Sequence, residues 1–268
     1  MKTILLTGAT DGIGLLTTHA LLAQGHRVLA HGRSSDKLAG LQKQADTDRL
    51  QTYCADLSDL DAVRHMADQV RRDQGSIDVL VNNAGVLKAP VTQTSDGLDI
   101  RFVVNTLAPA LLSQKILPCM PASGRVLNLS SAAQAPVSIP ALQGGAALDD
   151  MTAYSQSKLA LTQWSFWQAS QIEQAVVAIN PGSLLATKMV REGFGIAGND
   201  VQIGVDILLR ACLSDEFQGK TGTYFDGDSN QFADPHPDAL DSSSNQRIAA
   251  TILSLIGWGT AEPGPSPA

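Results

Sequence analysis

Tyr154 and Lys158, in the run Ala153-Tyr154-Ser155-Gln156-Ser157-Lys158, are the residues of this chain best suited to chemistry. Residues four apart share one face of a helix. The stretch 152–173 has helical composition, with Leu159, Leu161, Trp164, Phe166 and Trp167 as apolar contacts. A free phenol titrates near pH ~10, and a cation at close range lowers that value by roughly 1–3 pH units. The pair therefore predicts a phenol that gives and takes a proton near neutral pH, as a general acid–base must. Tyr and Lys four apart are common in helices, so the weight falls on the elements around them.

Those elements alternate from the first residue. Short apolar runs at 4–6, 27–30, 51–55, 79–81, 125–129, 176–179 and 223–225 read as strands. Longer amphipathic stretches separate them, with Val63, Met66 and Val70 on one face of the third helix and Asn105 inside a long helix spanning 97–118. Alternation of this kind predicts βαβ units, a parallel sheet and helices on both faces, in one doubly wound domain. The stretch 132–150, with Pro136, Pro140 and Gly144-Gly145, reads as a surface insertion. The Pro-rich tail 259–268 reads as disordered, leaving 1–258 as the domain.

Gly8, Gly12 and Gly14 fall between the first strand and the first helix. The first allows a tight turn, the second lets backbone approach a pyrophosphate, and the third lets helix and strand pack closely. The helix N-terminus then stabilises phosphate. The end of the second strand, where a carboxylate would hold the ribose hydroxyls of NAD, carries Gly32-Arg33. A guanidinium there suits a 2′-phosphate, which predicts NADP(H) over NAD(H). Asp56 is placed either to meet the adenine amino group or to cap the helix beginning near Asp59.

Composition narrows the partners. The chain has 268 residues, a net charge of -7, 44% apolar and 17% charged residues. This is an ordinary globular balance, and the negative charge argues against nucleic acid. Cys54, Cys119 and Cys212 are widely spaced, suggesting neither a disulfide framework nor a metal site. With no long apolar run and a first strand starting at Thr3, the expectation is a cytoplasmic protein without a membrane span.

Thr7-Gly8-(x)3-Gly12-Ile13-Gly14, Asn82-Asn83-Ala84-Gly85, Asn105, Ser131, Tyr154-(x)3-Lys158 and Pro181-Gly182 occur in the order of the short-chain dehydrogenase/reductase family. Over about residues 3–230 the chain resembles that family. Its long segment between Ser131 and Tyr154 is similar to that of the retinol dehydrogenase-like and protochlorophyllide reductase-like branches. The resemblance implies a Rossmann-type domain with a seven-stranded parallel sheet. It also implies an oxidoreductase passing hydride between NADP(H) and a carbonyl or alcohol carbon of an apolar small molecule. A C=C reductase with the same Tyr/Lys pair and a non-catalytic NADP-sensing regulator are the alternatives.

Within the family pattern Tyr154 is the acid–base and Lys158 tunes it and holds the nicotinamide ribose. Ser131 hydrogen-bonds the substrate oxygen, with Ser130 as the fallback, and Asn105 holds a relay water. Ser157 reads as helix surface. The implied cofactor-binding set is Gly8, Thr10, Asp11, Gly12, Ile13, Gly14, Arg33, Ser34, Asp56, Leu57, Asn83, Ala84, Gly85, Tyr154, Lys158, Pro181, Gly182, Leu184, Leu185 and Thr187. Whether Leu184 or Leu185 meets the nicotinamide carboxamide is left open by a threonine one place later than usual. The insertion 132–150 is expected over the substrate pocket. Residues 188–200, with Gly193, Gly195 and Gly198, are expected to form a lid with Phe194 and Ile196 as apolar contacts. The outer faces of the helices carrying Asn105 and Tyr154 offer a possible homo-oligomer interface, with Leu107, Leu111, Leu112, Trp164 and Trp167 on them.

Overall fold

The computed structural model describes residues 1–259, so the expectation for the tail falls outside the described residues beyond Gly259. The first half alternates strictly: β1 (Thr3–Leu6), α1 (Gly12–Ala23), β2 (Arg27–Gly32), α2 (Ser35–Ala45), β3 (Leu50–Cys54), α3 (Leu60–Asp73) and β4 (Val79–Asn82). The second half follows with α4 (Ile100–Phe102), α5 (Ala108–Ile116), β5 (Arg125–Leu129), α6 (Ile139–Leu142), α7 (Asp150–Ala169) and β6 (Ala175–Asn180). It closes with α8 (Lys188–Phe194), α9 (Val201–Leu213), β7 (Thr223–Asp226), β8 (Gln231–Ala233), α10 (Pro237–Leu240) and α11 (Ser242–Leu255).

The strands form one sheet in the order β3-β2-β1-β4-β5-β6-β7-β8. The first seven pair in parallel; β8 returns antiparallel on β7, with Phe232 opposite Phe225. The expected seven-stranded sheet thus gains an eighth, short edge strand. β4, β5 and β6 are buried along their whole length, which explains their near-continuous apolar runs. One core layer joins the sheet to α3, α5, α7 and α11, and the other joins it to α1, α2 and α9. Because β1 lies between β2 and β4, the strand order reverses there. The crevice that opens at such a reversal is where doubly wound sheets bind ligands.

Three segments depart from the sequence reading in ways that bear on the site. The expected helix over 97–118 is interrupted by a π-helical turn, Val103–Leu107, between α4 and α5. Pro109 has no N–H for the Asn105 carbonyl four residues back, which favours local widening. The insertion is not only surface: Ser138 caps α6, and Ala141 and Leu142 enter the core at 1% and 0% exposure. Finally, α10 and α11 pack against α7, and Leu107, Leu111, Leu112 and Trp164 are core residues, with Trp167 packed beside them. Within the chain α11 packs against α7, while α5 packs chiefly against α3.

No helix among the described residues is long and apolar enough to cross a membrane. Ile252 on α11 is fully buried in this layer. Truncating such a residue costs about 2–5 kcal/mol. Ile252→Ala should lower the urea midpoint accordingly, with an unchanged m-value.

Candidate active site

Lys158 lies one turn after Tyr154 on α7, and its ammonium turns inward. Nζ donates to the Leu129 carbonyl at the end of β5, 2.7 Å away, and stands 5.6 Å from the centre of the Tyr154 ring. Only 4% of the residue is exposed. Burial lowers the lysine pKa to about 8, so the amine still carries its charge at pH 7. Burial pushes the Tyr154 phenol up from its ordinary value, and a hydrogen bond with the Ser131 side chain opposes that rise. Desolvation is the larger of these two influences, so the phenol lies above its ordinary value.

The two serines after β5 separate cleanly. Ser130 points into α7, with Oγ 2.7 Å from Thr162 Oγ1 and 3.3 Å from the Lys158 carbonyl. Ser131 is half-buried, lies close enough to the Tyr154 phenol to lower its pKa, and accepts from Ala133 N–H at 3.1 Å. Adjacent extended residues face opposite ways, and the second serine is the one beside the tyrosine. Its carbonyl is held by Tyr224 Oη at 3.2 Å and by Gln134 Nε2 at 2.9 Å, two residues the motif reading did not single out.

Asn105, at the π-helical turn, ties the site together. Its Oδ1 accepts from Val86 N–H at 2.8 Å, and Nδ2 donates to the Val86 carbonyl and to Ser157 Oγ, each at 2.9 Å. Ser157 is therefore not helix surface. It is fully buried, and its hydroxyl donates a hydrogen bond to the Tyr154 carbonyl at 2.7 Å. The sequence hid this because the π turn, not helical spacing, brings Asn105 to α7. Arg101, also missed, is 1% exposed and binds Asp99 at 2.6 Å and Asp150 at 2.7 Å, fixing the first turn of α7.

The glycine turn lies at the C-terminal end of β1. Gly8 has φ +68° and Gly12 +50°, conformations that favour glycine. A Cβ on Gly14 would stand 2.2 Å from the Gly8 carbonyl oxygen, so the third glycine is needed for packing. Asp11 caps α1 through the Gly12 N–H and pairs with Lys37 at 2.9 Å. Asn83 braces the turn, its Nδ2 reaching the Thr7 carbonyl at 2.8 Å, while Thr7 Oγ1 receives the Asn83 and Ala84 N–H groups. Thr10 and Ile13 complete the turn, and Gly32 lies so close to Thr10 that a Cβ would meet Cγ2 at 2.6 Å.

Around the crevice, Arg33 is exposed and makes no ion pair among the described residues, and Ser34 caps α2. Asp56 accepts from Ser58 N–H at 2.9 Å, and Asp59 is the cap of α3, which resolves the capping alternative against Asp56. Leu57 is buried in the core. Gly85 lies beside Lys158 Nζ and Asn105. After β6, Pro181 and Gly182 (φ +111°) turn the chain into Leu184, held at φ +52° and 41% exposed, while Leu185 is 4% exposed. Thr187 caps α8 and lies against Gly12. Ile196 is exposed at 43%; the Phe194 side chain lies outside what is described. Bare helix N–H groups, a turn with no room for a Cβ and an unpaired arginine fit a phosphorylated dinucleotide.

Residues 2–194 match the family model described as short chain dehydrogenase. Human retinol dehydrogenase 13 is 26% identical over 96% of this chain and 85% of its own. Mouse polyprenol dehydrogenase is 28% identical over 96% of this chain and 84% of its own. A solved short chain dehydrogenase from Shigella flexneri, complexed with NADP, aligns with a TM-score of 0.67 at 25% identity, covering 84% of this chain and 96% of that one.

The lysine's state sets a stability test. Its folded pKa, about 8, lies below the unfolded value of 10.5. Between those values the unfolded chain binds more protons, so the wild type gains stability from this residue as pH rises through the window. The cost of the buried charge is complete below pH 8 and gone above the unfolded value. Measured by urea unfolding, the stability of wild type relative to Lys158→Met should increase from pH 7.5 to 10; a constant difference would place the amine in water.

Proposed function

The chain belongs to the short chain dehydrogenase family and is an NAD(P)-dependent oxidoreductase, and on that premise we propose that it interconverts an alcohol and a carbonyl on an apolar small molecule, preferring NADP(H), with Tyr154 as the acid–base. The observation that carries this reading is the meeting of Ser131, Tyr154 and Lys158 at the mouth of the crevice that begins at the glycine turn. When bound, the nicotinamide cofactor supplies the hydride. Tyr154 gives its phenolic proton to the substrate oxygen in reduction and receives one in oxidation. Ser131 hydrogen-bonds that oxygen as its charge develops, a role suited to a fixed donor. Lys158 keeps a positive charge beneath the phenol, and Asn105 holds the Val86 loop and Ser157 against it.

Arg33 supports the cofactor preference: its guanidinium is exposed at the end of β2 and has no ion-pair partner among the described residues, while the nearby Asp11 carboxylate is matched by Lys37. The apolar substrate class is supported by the names of the retinol and polyprenol dehydrogenases it resembles. Three free cysteines support a reducing compartment such as the cytoplasm.

NADPH consumption over a panel of ketones, aldehydes and enones tests the reading. Ketone or aldehyde turnover that falls at least ~10²-fold in Tyr154→Phe with NADPH binding intact is the expected result. Turnover confined to enones would assign C=C reduction instead, and NADPH binding without any turnover would make the protein a sensor. Arg33→Ala should weaken NADPH binding about tenfold or more and leave NADH nearly unchanged, as loss of a charge-assisted phosphate contact requires. Equal losses by isothermal titration would remove Arg33 from the 2′-phosphate site.

A further inference from the structure

His31 lies on β2, under the glycine turn, and is 2% exposed. Its ring bridges two strands' ends. The Gly8 N–H points at Nδ1, 3.3 Å away, and Nε2 is 3.0 Å from the Ala55 carbonyl. A carbonyl only accepts, so Nε2 carries the proton. The neutral ring is then bare at Nδ1, which is what the Gly8 N–H needs. Both contacts select one tautomer of one charge state.

The orientation of Gly8 follows from two clamps. A residue's φ and ψ are set by the peptide planes on either side of it. The plane before Gly8 is held through its N–H by His31, and the plane after it through its carbonyl by Asn83 Nδ2 at 3.3 Å. That same carbonyl is the one against which Gly14 packs. The backbone of His31 reinforces the arrangement, its carbonyl accepting from Ala9 N–H at 2.8 Å.

We propose that His31 is a positioning residue for cofactor binding: its unprotonated Nδ1 holds the first glycine of the phosphate turn in its left-handed conformation. The inference rests on the reading that this turn receives the dinucleotide. Burial favours the neutral ring and outweighs Asp56, the charged group at the end of β3 that favours protonation. Tyr53, opposite His31 in the strand register, is held neutral by burial, its pKa raised to about 12. On the turn itself the Asp11 carboxylate is matched by Lys37. Without an acceptor at this place the Gly8 N–H must rotate toward water, and cofactor binding must restore the turn.

Two measurements decide it. Nitrogen NMR of histidine-labelled, cofactor-free wild type should show His31 at pH 7 as the neutral tautomer protonated at Nε2. A proton on Nδ1, in either the other tautomer or the imidazolium, overturns the proposal. NADPH titration should then show His31→Ala binding about tenfold more weakly, the loss expected for an unsatisfied buried donor. His31→Asn, whose side-chain oxygen can take the place of Nδ1, should stay within about threefold of wild type. Equal affinity in wild type and His31→Ala, or equal loss in Ala and Asn, overturns the positioning role alone. Failure of wild type itself to bind NADPH overturns the reading of the turn as the dinucleotide site, and the proposal with it. If His31→Ala does not fold, the wild-type tautomer and the Asn variant still decide.

Discussion

A buried ammonium held by one main-chain carbonyl is the constraint on which the rest of this structure depends. Lys158 Nζ is fixed on the Leu129 oxygen at the end of β5, so a charge from α7 is anchored to the sheet at the edge of the crevice. Removing a charge from water is costly unless it is well hydrogen-bonded, and the lowered lysine pKa is the signature of that cost. The surrounding polar groups answer it locally. Ser130 and Thr162 hold each other under the same turn of helix, and Ser157 and Asn105 connect that helix to the loop after β4.

The crevice has a second rigid wall, made by backbone and not by charge. The glycine turn is enclosed by Asn83 and Thr7, which follow β4 and β1, and by His31 from β2. Each of its glycines answers a different demand, and the one at position 14 leaves no space even for a methyl group. The wall with Lys158 and Tyr154 comes from β5 and α7, across the strand-order reversal. Both walls belong to one sheet, so packing alone fixes the glycine turn relative to Tyr154 and Lys158.

Much of this was legible in the sequence. The central strands β4, β5 and β6 are buried on both faces, so their runs are continuous and easy to see, and the glycine and Tyr/Lys spacings report local geometry directly. The eighth strand was not legible, since three residues of a hairpin carry too short a pattern. Ser157 was misread because polar residues in a helix usually face water, and only the π turn at Asn105 supplies its partner. The apolar faces of α5 and α7 were visible, but their cover was not: α3 packs against α5, α11 brings a stripe of Ile248, Ile252 and Leu253 to α7, and nothing in one sequence says which stripes meet. Arg101 was overlooked for the opposite reason, since a charged residue is seldom expected at 1% exposure until Asp99 and Asp150 are seen around it.

The proposed acid–base role of Tyr154 requires the charge on Lys158, 5.6 Å from the ring centre, to offset part of the rise that burial imposes on the phenol once the cofactor is bound. The most direct measurement is a carbon NMR titration of the Tyr154 phenol, ring-labelled, in wild type and in Lys158→Met, both saturated with NADP⁺. The account expects the wild-type phenol to ionise at least about one pH unit below the variant. Coincident titrations would contradict it.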